Sequence, residues 1–192
     1  MDELENKVDQ GLELSLEEQF ALLEHPQAGE LLACYAAIHC LNDSVLVKML
    51  ERPNAKELLE IYLGVSMYEL EDPAQVRLTE LVNAKELLRV VVNYHPLWGE
   101  AEVKMLERPD TNELLDIYLK KYELWPETQV KMMEMPQAKE LLEKYISLYQ
   151  LDGLALFKMF DVPQAKELVK VYTSKYKLKG TSLQVARHKG LL

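Results

Sequence analysis

Apolar positions along this chain follow a helical rhythm that stops and restarts at a fixed interval. Leu58, Leu59 and Tyr62 fall on one stripe, as do Leu141, Leu142, Tyr145 and Tyr149. That i, i+1, i+4, i+8 spacing belongs to an amphipathic helix packed along one face. The clearest copies are RPNAKELLEIYL (52–63), RPDTNELLDIYL (108–119), MPQAKELLEKYI (135–146) and VPQAKELVKVYT (162–173), with weaker ones at HPQAGELLACYA (25–36) and LVNAKELLRVVV (81–92). Their anchors are Pro26, Pro53, Val82, Pro109, Pro136 and Pro163, separated by 27, 29, 27, 27 and 27 residues. A fixed period of this size marks a solenoid, in which each unit buries its apolar face only against its neighbours. The pattern predicts an all-α fold: an α-solenoid (superhelix) of about six 27-residue two-helix repeats. It fills 1–192 as a single domain and ends in a partial cap at 181–192.

Within each repeat a shorter helix precedes the proline, in VLVKMLE (45–51), AQVRLTE (74–80), AEVKMLE (101–107), TQVKMME (128–134) and LALFKMF (154–160). Residues 15–25 form the corresponding first helix of repeat one, with Ser15 and Glu18 spaced as a capping box. The residue before a proline is driven out of the helical region, so this helix stops there. Pro73 and Pro126 fit first-turn positions, where a missing N–H costs nothing. After each anchor comes Asn54, Asn83 or Asp110, or else Gln27, Gln137 or Gln164, and then a glutamate three residues on. Asn or Asp there reads as an N-cap in something close to a capping box, Gln as a poorer one. The recurrent Glu30, Glu57, Glu86, Glu113, Glu140 and Glu167 are explained by the helix dipole without a functional role. Tyr35, Tyr62, Tyr118, Tyr145 and Tyr172 recur at the centre of the apolar stripe, which places them in the core rather than on a base-stacking surface.

Charge changes the picture in three ways. The net charge of −10 counts against phosphate backbones and anionic membranes as partners. Residues 1–30 hold nine acids against Lys7, whereas 165–192 hold seven basic groups against Glu167, an asymmetry that suits either polar solenoid ends or head-to-tail self-association. A basic column also runs through the first helices, at Lys48, Arg77, Lys104, Lys131 and Lys158, with Ala21 breaking it. It is a candidate contact stripe for an acidic peptide or a nucleic-acid strand, set against a solvated face paired with glutamates.

Candidate chemistry is sparse. The chain has no phosphate-loop, dinucleotide-binding or HExxH motif, and its histidines are scattered, which predicts no cofactor, no metal and no catalysis. Cys34 and Cys40 read as buried apolar residues on one helix, reduced in a cytoplasmic protein. The acidic opening and the lack of a long apolar run agree with that location. The stretched third repeat, with extra residues near Gly64–Met67 and the linker NYHPLWGE (93–100), offers a second candidate patch at His95 and Trp98.

The unit V-K-M-L-E-R-P-x-x-x-E-L-L-x-x-Y, carried by residues such as Met105, Pro109, Leu114 and Leu115, resembles the bacterial leucine-rich repeat variant. The resemblance implies a curved array of a short, often 3₁₀, helix and a longer α-helix, broadly akin to HEAT-type arrays, and brings no catalytic residues. The 27-residue period, the missing Asn-Pro and the tyrosine column depart from that family's pattern. The expected function is a non-catalytic protein-binding scaffold or adaptor. The alternatives are a nucleic-acid-binding repeat protein and an end-to-end self-assembling structural protein.

Overall fold

A computed structural model describes residues 3–192, so Asp2 of the acidic opening lies outside the described residues. Those residues form fourteen α-helices and no strand. Among them, no helix is long and apolar enough to cross a membrane. The chain divides into two compact units, Met1–Leu97 and Trp98–Leu192.

The first unit contains α1 (Glu3–Asp9), α2 (Leu16–Glu24), α3 (Ala28–Ala36), α4 (Asp43–Leu50), α5 (Ala55–Val65), α6 (Asp72–Glu80) and α7 (Ala84–Val91). Helices α2, α4 and α6 pack in series, as do α1, α3, α5 and α7, and each of α2, α4 and α6 also packs on the helix that follows it. The second unit contains α8 (Gly99–Glu107), α9 (Thr111–Tyr118), α10 (Pro126–Glu134), α11 (Ala138–Leu148), α12 (Gly153–Met159), α13 (Ala165–Lys175) and α14 (Gly180–His188). There α8, α10 and α12 pack in series, α11 packs on α13, and each pair packs internally. This is the neighbour-to-neighbour packing of a helical repeat array. The first helices are α-helical, not 3₁₀, and α14 lies at the predicted cap. Helix α1 was not predicted; it packs on α3, placing Val8 one 27-residue period before Tyr35. Gly11 ends α1 at φ 66, where the Leu12 N–H reaches the Lys7 carbonyl, a Schellman closure that favours glycine.

The proline column has a local cause. His25, Leu81, Arg108 and Met135 are extended, with ψ of 143, 153, 151 and 149°. Beyond the proline, Gln27, Asn54, Asn83, Asp110, Gln137 and Gln164 all sit near φ −103 to −91°, ψ 17 to 31°. The N–H of the next residue (Ala28, Ala55, Ala84, Thr111, Ala138 or Ala165) closes back on the carbonyl before the proline at 3.0–3.2 Å. This is a type I turn with proline, or Val82 in one copy, at its second position, leading straight into a helix. It corrects the predicted capping boxes: none of these six starts has a side-chain cap. With the turn supplying the bond, Asn and Gln serve equally, and Asp110 instead pairs with Arg108 at 2.7 Å. A capping box does form at Ser15 and Glu18, and Pro73 and Pro126 take first-turn places.

The tyrosine column is core. Tyr35, Tyr62, Tyr118, Tyr145 and Tyr172 are all buried among the leucines, which removes them as a base-stacking surface. Tyr122, Tyr149 and Tyr176 lean on the buried rings at centroid distances of 5.7, 5.7 and 5.4 Å. The Tyr149 and Tyr176 hydroxyls donate to the carbonyls of Leu119 and Ile146 on the preceding second helix, at 3.1 and 3.3 Å.

Candidate functional site

Three surfaces and one buried column carry chemistry beyond packing. The basic column lies on the exposed side of the first helices, beside an acidic column three residues on. Lys48 pairs with Glu51 at 3.7 Å, and Arg77 with Glu51 at 2.8 Å and Glu80 at 3.3 Å. In the second unit Lys104 pairs with Glu107 at 3.4 Å and Lys158 with Glu134 at 2.7 Å. Lys131 lies beside Glu107 and Glu134, and its charge helps Lys158 hold the Glu134 carboxyl below its usual range. Arg52–Glu24 and Lys189–Asp161 extend the same pattern from one helix pair to the next. Within each unit the column is therefore one half of an exposed ion-pair ladder, not an open cationic stripe. Such pairs contribute little to stability each.

The stretched third repeat resolves differently from its prediction. Its extra residues fall in the loop after α5, a helix of the same length as α11 and α13, leaving Val65, Met67 and Tyr68 exposed together with Tyr94, whose hydroxyl lies over Gly64. His95 does not form the predicted patch with Trp98. It is buried, accepting the Leu70 N–H on Nε2 at 3.3 Å and donating from Nδ1 to the Pro96 carbonyl at 2.9 Å. It fills the place of the tyrosine hydroxyl that Val91 lacks: in the first repeat, the equivalent Leu14 N–H points to the Tyr35 hydroxyl at 3.4 Å. Trp98 is partly exposed as the N-cap of α8, and Trp125 occupies the same place before α10. The cysteines also differ from expectation. Cys34 is exposed on α3, and Cys40 lies beyond that helix.

Open grooves run between successive second helices. The groove between α11 and α13 has a volume of about 570 Å³. Ile146 and Val171 form its apolar floor, Lys139, Lys170 and Lys175 its basic rim, and Glu143 and Glu167 its acidic points. Lys175 is anchored on the Ser147 carbonyl. Lys139, Lys170, Glu143 and Glu167 make no ion pair among the described residues, in contrast to the ladder on the first helices. A comparable groove of about 490 Å³ lies between α5 and α7, lined by Lys56, Glu60, Glu86, Arg89, Asn93 and Tyr94.

The buried column was not anticipated as a unit. At one position of the first helix the chain places Gln19, Leu46, Gln75, Glu102, Gln129 and Leu156. Gln19 donates to the Leu14 carbonyl at 3.2 Å and the Tyr35 hydroxyl at 3.3 Å, and accepts the Asn42 N–H at 2.8 Å. Gln129 likewise donates to the Leu124 carbonyl and accepts the Asp152 N–H, both at 2.8 Å. Each amide thus staples its own loop to the start of the next pair. Where leucine takes the position, another side chain serves: Cys40 meets the Leu41 carbonyl at 3.3 Å and the Tyr62 hydroxyl at 3.6 Å, and Gln150 donates to the Tyr172 hydroxyl at 3.2 Å. Four polar residues on an apolar helix face are the sequence signal for this column.

Glu102 is the one acid in it. Its carboxyl has no solvent exposure, accepts from the Tyr118 hydroxyl at 2.7 Å and accepts the Trp125 N–H at 2.9 Å. Burial pushes its pKa up to about 7 against the pull of those two donors and of Thr128, while the charge of Glu127 adds to the rise. The Thr128 hydroxyl lies beside it without a short hydrogen bond.

Charge also separates by unit: residues 1–97 carry 7 basic against 18 acidic side chains, and 98–192 carry 15 against 14. A comparison with known proteins finds no protein family, no curated protein and no solved structure that matches this chain.

Proposed function

We propose that the protein is a non-catalytic binding scaffold that holds an acidic peptide segment of a partner protein in the groove between α11 and α13. The observation that carries this reading is the lining of that groove, an aliphatic floor of Ile146 and Val171 under Lys139, Lys170 and Lys175. Its volume of about 570 Å³ suits a few side chains, within the range of roughly 300–1,000 Å³ usual for ligand pockets. An aliphatic side chain of the peptide gains burial on the floor, while its carboxylates meet lysines that no ion pair occupies. The basic column of the first helices is the weaker candidate, because Lys48, Arg77, Lys104 and Lys158 already face acids. The test is fluorescence-polarisation binding of labelled acidic, neutral and basic peptides that share one leucine anchor, to wild type and to Lys139→Glu/Lys170→Glu. Selective binding of the acidic peptide, lost in the double variant, supports the reading, and indifference to peptide charge refutes it.

A second reading, end-to-end self-association, draws on the charge partition: an acidic first unit against the seven basic groups of 165–192. Sedimentation at low and high salt checks it. A mass that rises with concentration and falls with salt favours it, and a constant monomer mass removes it.

A further inference from the structure

We propose that Glu102 is a pH-operated latch, closing the junction between the α8/α9 pair and the start of α10 while it is neutral and loosening that junction when it ionises. The inference rests on the fold alone and holds whichever partner the protein takes.

Position is the first argument. Glu102 stands in the column where Gln19, Gln75 and Gln129 are the buried amides. An amide of this column does two things at once: at Gln129 it donates to a carbonyl of its own loop and accepts the N–H that opens the next pair. A neutral carboxylic acid has one O–H donor and acceptor capacity to spare, so it can do the same. A carboxylate accepts only. Glu102 accepts on both oxygens, from Tyr118 and from Trp125, so ionisation keeps these two bonds and its effect is to place a charge without a counter-ion in the core.

The surroundings supply nothing to neutralise that charge. From α9, Tyr118 faces the carboxyl with its hydroxyl at 2.7 Å. From the start of α10 come the Trp125 N–H at 2.9 Å, Thr128 and the like charge of Glu127, and from α11 Tyr145 feels the same carboxyl. No lysine, arginine or histidine pairs with Glu102 among the described residues. Burial without a counter-ion, with one acid nearby, shifts the ionisation of this side chain towards neutral pH. In a repeat array each junction is held mainly by its two neighbours, so one buried charge acts on one junction instead of spreading over the molecule.

The test is amide exchange at Trp125, read in the full chain from about pH 5.5 to pH 8.5 and corrected for intrinsic exchange, in wild type and Glu102→Gln. Wild type is expected to lose protection at Trp125 by about tenfold or more over this range while Glu102→Gln stays flat. Parallel profiles in the two proteins overturn the proposal. Should the variant misfold, carboxyl-carbon NMR of wild type decides. A Glu102 signal that titrates near neutral pH supports the latch, and one that titrates with the exposed glutamates overturns it.

Discussion

Replacing Gln129 by leucine isolates what the buried amide column contributes to the array. Leucine is close in volume and already occupies this column at Leu46 and Leu156, so the change leaves little cavity and no new charge. What it removes is both hydrogen bonds of a side chain that is 3% exposed. The Leu124 carbonyl loses the amide at 2.8 Å, and the Asp152 N–H loses its acceptor at the same distance. Leu124 is buried, so its carbonyl bears most of a cost of about 1–3 kcal/mol for an unsatisfied group. Asp152 is half-exposed, and water recovers part of its loss. Gln129→Leu should therefore destabilise the protein by about 2–3 kcal/mol. Gln129→Ala should cost about 2 kcal/mol more, because it also opens a cavity. Urea unfolding followed by far-ultraviolet circular dichroism measures both as a shift in midpoint at constant slope. A leucine variant within about 0.5 kcal/mol of wild type would refute the staple, because it would mean the loop carbonyl and the helix start satisfy themselves without it.

Glu102→Gln should change the pH dependence of stability. Because burial raises the folded-state value from 4.5 to about 7, the neutral acid's contribution is fully present below about pH 4.5. It is lost as pH rises through about 7, a decline of about 3 kcal/mol that urea unfolding across this range should show in wild type and not in the variant. Tyr145 has a buried hydroxyl with no hydrogen-bond partner among the described residues, so Tyr145→Phe should be neutral or stabilising by up to about 1 kcal/mol. Tyr118→Phe removes the donor to Glu102 and should cost about 1–2 kcal/mol, so equal effects in the two variants would contradict the assignment of their hydroxyls. Val82 is almost wholly exposed at the turn position that holds proline in the other five copies, and Val82→Pro should raise stability by about 0.5–1 kcal/mol in thermal unfolding.

Much of this architecture was legible because local signals agree with the global period. Proline at the turn, alanine or threonine at the buried helix start and the Leu-Leu-Tyr stripe each fix one element, and they recur together. The capping assignment failed at Asn54, Asn83 and Asp110 because a type I turn supplies the same bond from the backbone, a competition that side-chain type alone cannot decide. Helix α1 escaped notice because ELENKVD has only Leu4 and Val8 as apolar residues and no proline follows it. The ion-pair ladder is half legible: the basic column and a face paired with glutamates can be read from the repeat, but not that the partners are the acids three residues on and those of the neighbouring first helix. His95 was misplaced because its burial depends on the loss of tyrosine at Val91, an exchange visible only once the two columns lie side by side.

The proposed binding of acidic segments between the second helices is tested by a paired charge reversal. Affinity for one leucine-anchored acidic peptide is measured for wild type, for the groove variant Lys139→Glu/Lys170→Glu and for the first-helix variant Lys104→Glu/Lys131→Glu. Binding in the groove predicts a loss of at least about tenfold, or about 1.4 kcal/mol, in the groove variant and affinity within about twofold of wild type in the other. A loss confined to the first-helix variant, or no binding by any of the three, would contradict it.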